Sequence, residues 1–161
     1  MTGAAGNLGV RLLPLLNEFS VLGVDVVAPP HSCSAEFERL DLADASSGDR
    51  LLELLRRTNA TAVVHLAFII DPVRMGVLDV DRMWQINVAG TGRVIDAIAK
   101  ANRTGGHVTK FIYPSSVSAY GPDLPTAVTE DFPLGAHTLP YAMHKQEAEK
   151  LLQSQSAQMG G

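Results

Sequence analysis

A tyrosine and a lysine near the end of the chain have the spacing and chemistry of a proton-transfer pair. Tyr141 and Lys145 are one helical turn apart, so a helix places both side chains on one face. A nearby ammonium favours the phenolate and lowers the pKa of a tyrosine, which makes the phenol a usable general acid or base. By spacing alone, an exposed Tyr–Lys pair is the simpler interpretation.

Two serines that follow an apolar segment shift the interpretation toward catalysis. Residues 109–113 predict a strand, and Ser115 and Ser116 come soon after it. Parallel sheets bind their ligands at the carboxyl ends of the strands, where these hydroxyls would lie. A hydroxyl in that place can hydrogen-bond the substrate oxygen that the tyrosine protonates or deprotonates.

Three glycines stand at intervals of three residues near the start of the chain, namely Gly3, Gly6 and Gly9. Glycine is required where φ is positive or where the backbone must approach a ligand closely. A helix that begins behind such a loop offers free N–H groups and a partial positive charge to a pyrophosphate. Ordinary turns explain the same glycines about equally well, so the motif alone is weak.

Predicted strands and helices alternate between these motifs. Apolar runs and helical spacing predict strands at 24–28, 37–42, 62–67 and 109–113, and helices at 10–19, 49–57, from Asp79 or Asp81 to Ala101, and 140–155. Such alternation predicts an α/β fold with a parallel sheet and right-handed crossovers.

The composition is that of one ordinary domain of 161 residues, with 46% hydrophobic residues, 19% charged residues and a formal net charge of −4. No basic stripe is available to neutralise phosphates, which argues against a nucleic-acid partner. The apolar runs are too short to span a membrane. The single cysteine, Cys33, excludes an internal disulfide, and the scattered histidines predict no metal site. These features predict a cytoplasmic protein.

Two histidines lie within the segments that carry these motifs. His65 stands in a predicted strand between Val64 and Leu66, and we expect it to be packed rather than catalytic. His144 lies between the tyrosine and the lysine, and we expect it on the surface of the helix.

Six segments, in order, resemble the extended branch of the short-chain dehydrogenase/reductase superfamily, of the NAD-dependent epimerase/dehydratase type. Thr2–Gly9 is similar to the motif TGxxGxxG, Asp41-Leu42 to an acidic loop, His65–Ala67 to a segment after a strand, Asn87–Thr91 to NVxGT, Ser115–Gly121 to SSxxxYG, and Tyr141–Lys145 to YxxxK. One such match is expected by chance, whereas six in the family's order are not. The resemblance covers nearly the whole chain and implies a Rossmann-like, doubly wound parallel sheet.

The resemblance also implies a role for each matching residue. Tyr141 would be the acid/base, Lys145 would bind the nicotinamide ribose and lower the tyrosine pKa, and Ser116 would hold the substrate oxygen. Contacts to the cofactor would come from Gly3, Gly6, Asn7, Leu8 and Gly9 at the pyrophosphate, Asp41 and Leu42 at the adenine, and Leu66, Ala67 and Asn87 along the groove. The implied chemistry is reversible hydride transfer between NAD or NADP and a sugar nucleotide or similar hydroxyl/carbonyl substrate.

The chain departs from the family pattern at both of its ends. The strand that precedes TGxxGxxG in the family has no counterpart before Met1, and the sequence stops just after the YxxxK helix. We therefore expect residues 1–161 to form an NAD(P)-binding Rossmann-like domain that is truncated at both ends and lacks the substrate-binding lobe.

A further departure concerns the choice between NAD and NADP. NAD-preferring members of the family often carry an aspartate at the end of the second strand, whereas the predicted strand here ends in Ala28-Pro29-Pro30-His31. No carboxylate is expected there to repel a 2′-phosphate, and His31 and Ser32 fit either cofactor. The sequence leaves the preference open.

Two other functions fit the same motifs: a carbonyl reductase for a non-sugar substrate, and a non-catalytic nucleotide-binding fragment. The presence of Ser116, Tyr141 and Lys145 weighs against the second. The resemblance also implies a homodimer through the helices at 84–101 and 140–155. The apolar seam would then be formed by Ala142, Ala148, Leu151 and Leu152.

Overall fold

The structure, a computed structural model, describes residues 1–30, 35–70, 79–124, 127–135 and 137–155. In these residues the helices are α1 (Asn7–Leu12), α2 (Ser47–Thr58), α3 (Val80–Trp84), α4 (Gly90–Arg103) and α5 (Pro140–Gln155), and the strands are β1 (Leu22–Asp25), β2 (Glu36–Arg39), β3 (Ala62–Val64) and β4 (Lys110–Ile112). His31, Ser32 and Cys33 lie outside the described residues.

The strands form two parallel pairs, β1 with β2 and β3 with β4, and Thr2 connects the pairs. Thr2 bridges to Val24 of β1 on one side and to His65, which follows β3, on the other. Its N–H donates to the carbonyl of Val64 at 2.9 Å. The spatial order β2, β1, Thr2, β3, β4 is that of a doubly wound sheet, which confirms the predicted fold class.

The first strand ends three residues earlier than the sequence predicts. The carboxylate of Asp25 accepts hydrogen bonds from its neighbour Val26 N at 2.7 Å and from Ala5 N at 2.9 Å. The chain therefore turns out of the sheet at Asp25, and Val26 and Val27 are exposed. The prediction that this strand ends at Ala28 is wrong.

The first helix also ends early. After Leu12 the chain tightens into a 3₁₀ turn over Leu13–Leu15, which contains Pro14. Proline supplies no N–H to an α-helical ladder, so the helix cannot continue to residue 19 as predicted. Phe19 is 67% exposed.

The long helix predicted from Asp79 or Asp81 is present, but it contains a π turn. Asp79 caps α3 by accepting from Asp81 N, and Gln85–Ala89 form the π turn that leads into α4. Side chains bind two carbonyls of this turn: the Thr91 hydroxyl donates to Asn87 O at 2.6 Å, and Arg93 donates to Gln85 O at 3.2 Å. The turn changes which side chains of the helix face the sheet.

Helices α2 and α4 pack together against the sheet. The apolar core there consists of Leu42, Leu51, Val63, Val94, Ala97, Ile98 and Val108. Helix α5 has the predicted bounds, but Ala142 and Ala148 of the predicted dimer seam are fully buried within this chain. No helix of the described residues is both long and apolar enough to cross a membrane.

Candidate active site

The glycine-rich loop packs tightly against the end of β3. Gly3 has φ +70°, and a Cβ at this residue would lie 2.5 Å from Ala67 N and 2.6 Å from Leu66 C. A Cβ at Gly9 would lie 2.3 Å from Gly3 O. Glycine is therefore required at Gly3 and Gly9 by the protein's own backbone, and Gly3 lies directly against Leu66 and Ala67.

The start of α1 is open to a ligand. Gly6 is the N-cap residue, and no side chain caps the helix. Gly6, Asn7 and Leu8 are exposed. Because the first N–H groups of a helix have no intrahelical acceptors, this loop can donate hydrogen bonds to an anion.

A carboxylate that the sequence interpretation missed lies beside this loop. Asp25 ends β1 and accepts from Ala5 N, within the glycine-rich segment. An acidic residue about 20 residues after the glycine motif is a known partner of a ribose 2′-hydroxyl, so the spacing was an available signal. It was missed because the β-branched residues Val26 and Val27 extended the predicted strand beyond Asp25. The expectation that this strand end lacks a carboxylate is wrong.

The two residues expected at the adenine differ in their surroundings. Asp41 accepts from Ala43 N at 2.8 Å through one carboxylate oxygen and pairs with Arg82 at 2.5 Å through the other. The side chain of Leu42 lies in the apolar core, and its carbonyl accepts from Arg93 at 2.8 Å. Because the side chain and the carbonyl of Leu42 are already engaged, a ligand could contact this residue only through its other backbone atoms.

Tyr141 and Lys145 lie on α5, facing the end of β4. The ammonium of Lys145 donates to Pro114 O at 2.7 Å, and its nitrogen lies 5.9 Å from the centre of the Tyr141 ring. Lys145 is only 4% exposed, and burial lowers its pKa to about 8, although the negative charge of Glu149 opposes this shift. The ammonium thus stands on the same side of α5 as the phenol, as the spacing predicts, but it is buried, whereas spacing alone favoured an exposed pair.

Two aromatic rings that the sequence interpretation missed cover this ammonium. The nitrogen of Lys145 lies 3.8 Å from the centre of the Phe68 ring and 4.4 Å from that of Tyr113. The Phe68 ring also meets the Tyr141 ring edge-on, with centroids 5.7 Å apart. Burial raises the pKa of Tyr113 above its usual value. Their positions in the sequence were an available signal, since Phe68 directly follows one predicted strand and Tyr113 ends another.

Besides Lys145, another pair of side chains joins the segment after β4 to α5. Ser115 donates to the carboxylate of Glu149, one turn beyond Lys145. Ser116 caps the 3₁₀ turn Val117–Tyr120, and its hydroxyl oxygen lies 2.8 Å from that of Ser118. The segments that carry Ser116 and Tyr141 are therefore held together at the carboxyl end of β4.

His65 is the centre of a buried polar chain under the glycine-rich loop. Its Nδ1 lies 2.6 Å from the Thr2 hydroxyl oxygen, and its Nε2 lies 2.9 Å from that of Thr91. The Thr91 hydroxyl donates to Asn87 O, so Nε2 carries the proton and Nδ1 accepts from Thr2. Burial, together with the charge of Lys145, lowers the pKa of His65 to about 3. Its burial confirms that His65 is packed.

Asn87 and His144 join three elements in the wall of the site. The amide of Asn87 accepts from Ile69 N at 2.6 Å and donates to Ile69 O at 2.9 Å, and its nitrogen lies 3.3 Å from His144 Nδ1. His144 is 5% exposed, and its ring meets Trp84 edge-on. The prediction of a surface position for His144 is wrong, because α5 packs this side chain against α3 and the π turn.

The described residues contain no group of three or more His, Cys, Asp and Glu side chains that could hold a metal ion.

The chain is similar to known proteins over nearly its whole length. The family model described as the NAD dependent epimerase/dehydratase family matches residues 1–161. The chain is 25% identical over 159 residues to an uncharacterised epimerase/dehydratase of Staphylococcus aureus (strain USA300), covering 95% of this chain and 46% of that protein.

Two solved structures are similar throughout the chain. MoeE5 in complex with UDP-glucose and NAD has a TM-score of 0.76 and 29% identity, over 97% of this chain and 48% of MoeE5. The enzyme WbmH of Bordetella bronchiseptica in complex with NAD⁺ has a TM-score of 0.77 and 26% identity, over 95% of this chain and 51% of WbmH. The chain thus spans about half the length of these relatives.

Proposed function

The chain belongs to the NAD-dependent epimerase/dehydratase family, and on this premise we propose that it carries the cofactor site and catalytic residues of an NAD-dependent enzyme that oxidises and re-reduces a CH–OH carbon. The proposed substrate is a sugar nucleotide. MoeE5, which is similar over nearly the whole chain, binds UDP-glucose. The proposal treats residues 1–161 as the cofactor-binding domain and assigns substrate selection to residues outside it.

The placement of Tyr141 and Lys145 is the observation that carries the proposal. The lysine nitrogen is 5.9 Å from the tyrosine ring centre and is fixed by Pro114 O, directly before the two serines. Chain segments from α5 and from the end of β4 therefore converge where parallel sheets hold their ligands. A solvated Tyr–Lys pair would not bury its ammonium.

The residues present fit NAD. The uncapped start of α1 suits the pyrophosphate, and Gly6, the exposed N-cap residue, adds no side chain there. The Asp25 carboxylate suits the ribose hydroxyls and disfavours a 2′-phosphate, which favours NAD over NADP. Bound NAD would supply the hydride acceptor for the substrate carbon.

The chain's own residues would handle the proton. Tyr141 is placed to take the hydroxyl proton of the substrate as its carbon is oxidised and to return it in the reverse direction. The positive charge of Lys145 stabilises the phenolate form that this step requires. Ser116 would hold the same substrate oxygen, while Phe68 and Tyr113 keep water from the ammonium.

The proposal also includes a cellular location and an oligomeric state. We place the protein in the cytoplasm, in keeping with its single cysteine. A homodimer through α4 and α5 would use the half-buried Leu151 and Leu152, since Ala142 and Ala148 face the interior. Sedimentation at high protein concentration tests this pairing.

The test begins with titration of the 161-residue chain with NADH, followed by nicotinamide fluorescence and melting temperature. We expect saturable binding and a rise in Tm. UDP-glucose and other UDP-sugars are then supplied with NAD to a version extended at both ends to the length of its relatives, because the proposal assigns substrate selection to residues outside 1–161, and product sugars are separated by chromatography. In that extended version, replacing Tyr141 by Phe should lower turnover at least ~100-fold with nearly unchanged NADH affinity, because only the acid/base hydroxyl is lost.

The alternatives give different results in the same assays. An undiminished rate in the Tyr141→Phe protein would remove the acid/base assignment. Reduction of simple ketones by NADH without conversion of UDP-sugars would indicate the carbonyl reductase. NADH binding by the extended version without turnover of either substrate would indicate the non-catalytic fragment.

A further inference from the structure

The orientation of the Asn87 amide is fixed by the backbone of one residue. Its oxygen accepts from Ile69 N at 2.6 Å and its nitrogen donates to Ile69 O at 2.9 Å. Exchanging the amide oxygen and nitrogen would place donor against donor and acceptor against acceptor. Asn87 is fully buried, so water does not compensate for such an exchange.

This fixed amide determines the protonation of His144. The Asn87 nitrogen, whose second N–H is available, lies 3.3 Å from His144 Nδ1. That contact is a hydrogen bond only if Nδ1 carries no proton, which requires the neutral imidazole with its proton on Nε2. Protonation of Nδ1 would set two donors against each other inside the protein.

We propose that His144 is a positioning residue of the cofactor site: through Asn87 it holds the segment after β3 in register with the helix that carries Tyr141 and Lys145. The proposal rests on the proposed function for its consequence, cofactor binding. Asn87 bonds to Ile69, two residues after Ala67, against which Gly3 of the glycine loop packs. The His144–Asn87 bond thus links α5 to the wall of the groove.

The surroundings of His144 make its neutral form the stable one. Trp84 from α3 and Asn87 from the π turn contact the ring, and neither carries a charge. On α5 itself the ionisable residues within one turn are Tyr141, Lys145 and Glu147; the Lys145 ammonium is directed to Pro114 O, and the Glu147 carboxylate is paired with Lys150 at 2.6 Å. Burial lowers the pKa of His144 below its usual 6.5.

The first test measures the tautomer directly. Nuclear magnetic resonance shifts of the imidazole nitrogens, recorded on the isotope-labelled 161-residue chain across a pH series, are assigned with a His144→Asn sample. We expect an unprotonated Nδ1, a protonated Nε2 and a pKa of His144 below the usual 6.5 of histidine. A proton on Nδ1, or a pKa of 6.5 or above, would overturn the proposal whether or not the chain binds NADH.

The second test compares two replacements of His144 by their NADH affinity. Asn places an amide oxygen where Nδ1 stands and does not titrate, whereas Leu fills space without an acceptor. We expect His144→Leu to weaken NADH binding about tenfold, because a buried N–H of Asn87 loses its partner, and His144→Asn to stay within about threefold of the unmodified protein.

The pH profile separates positioning from packing. NADH affinity of the unmodified protein should fall as the pH drops below the lowered pKa of His144 and the ring takes up a proton, whereas His144→Asn should lack this fall. His107→Asn, at an exposed loop position, should retain it. Equal affinities and equal profiles for the Leu and Asn variants would refute the positioning role, while absence of NADH binding in every variant and in the unmodified protein would refute the proposed function instead.

Discussion

A single side chain, Asp25, both ends a strand and faces the ligand loop. One carboxylate oxygen accepts from the next residue, which turns the chain, and the other accepts from Ala5 N. The charge therefore stands where a sheet of this order meets the ribose of a dinucleotide. The sequence interpretation placed the strand end three residues later, because alternation and β-branching describe a half-buried surface and not the hydrogen bond that interrupts it.

Asp25→Asn should change cofactor preference more than cofactor affinity. The amide oxygen can still accept from Ala5 N, although the N–H of Val26 then loses its acceptor, and the negative charge that repels a 2′-phosphate is gone. We expect the ratio of NADPH to NADH dissociation constants to fall about tenfold or more, as measured by parallel fluorescence titrations. Asp44→Asn, an exposed carboxylate in the loop before α2, should leave the ratio unchanged. An unchanged ratio in Asp25→Asn would contradict the assignment.

At the scale of elements, α5 is held by polar contacts on several sides. Lys145 binds the Pro114 carbonyl, His144 meets Asn87, and Gln146 donates to the carbonyls of Ala119 and Gly135. Three of its buried side chains are polar, so the buried face of α5 is not an apolar stripe. The bounds of this helix were predictable from Pro140 and its composition. Which of its faces are buried was not, because each buried polar group depends on a partner distant in sequence.

In the glycine loop, one substitution should lower stability and another should weaken NADH binding. A Cβ at Gly9 would lie 2.3 Å from Gly3 O and 2.6 Å from Ala4 O, so Gly9→Ala forces α1 away from the loop. We expect a loss of about 3 kcal/mol in the free energy of unfolding, measured by denaturant titration. A side chain at Gly9 is thus directed into the protein's own backbone and away from a ligand at the start of α1.

Gly6→Ala is the matched control for this prediction. A Cβ at Gly6 would meet only Gly3 O, at 3.3 Å, and the residue has extended backbone angles that alanine adopts. We expect nearly normal stability but NADH binding weakened about tenfold, because the added methyl group lies at the exposed start of α1. A Gly9→Ala protein that melts like the unmodified chain would contradict the packing described for the loop.

At the scale of the whole molecule, the His65 chain connects segments that are far apart in sequence. Thr2 belongs to the start of the chain, His65 follows β3, and Thr91 belongs to α4. All three are buried, so their hydrogen bonds replace water that the interior excludes. The order of the motifs was predictable from the sequence, but this connection depends on the fold as a whole.

Acid should destabilise the protein through His65. The pKa of His65 is about 3 in the folded protein against 6.5 ordinarily, so below pH 6.5 the unfolded chain binds a proton that the folded protein does not. The free energy of unfolding should therefore fall as the pH falls, by up to about 1.4 kcal/mol per pH unit from this residue.

The measurement is urea unfolding at several pH values below 6.5, compared between the unmodified chain and His65→Gln. The glutamine amide can still donate to Thr91, so the folded variant keeps part of the network. Its pH dependence should be shallower, whereas His107→Gln should have the slope of the unmodified chain. Parallel slopes for all three proteins would show that His65 titrates in the folded state as it does in the unfolded state.

The π turn at Gln85–Ala89 has a consequence for insertions and deletions. One residue of an α-helix corresponds to about 100° of rotation, so a π turn displaces the side chains before it relative to those after it by roughly that angle. Deleting one residue here would restore an unbroken α-helix and turn Met83 and Trp84 away from their present neighbours. Homologous chains that share the Asn87 contacts should therefore align through this turn without gaps, while the loops around them vary in length.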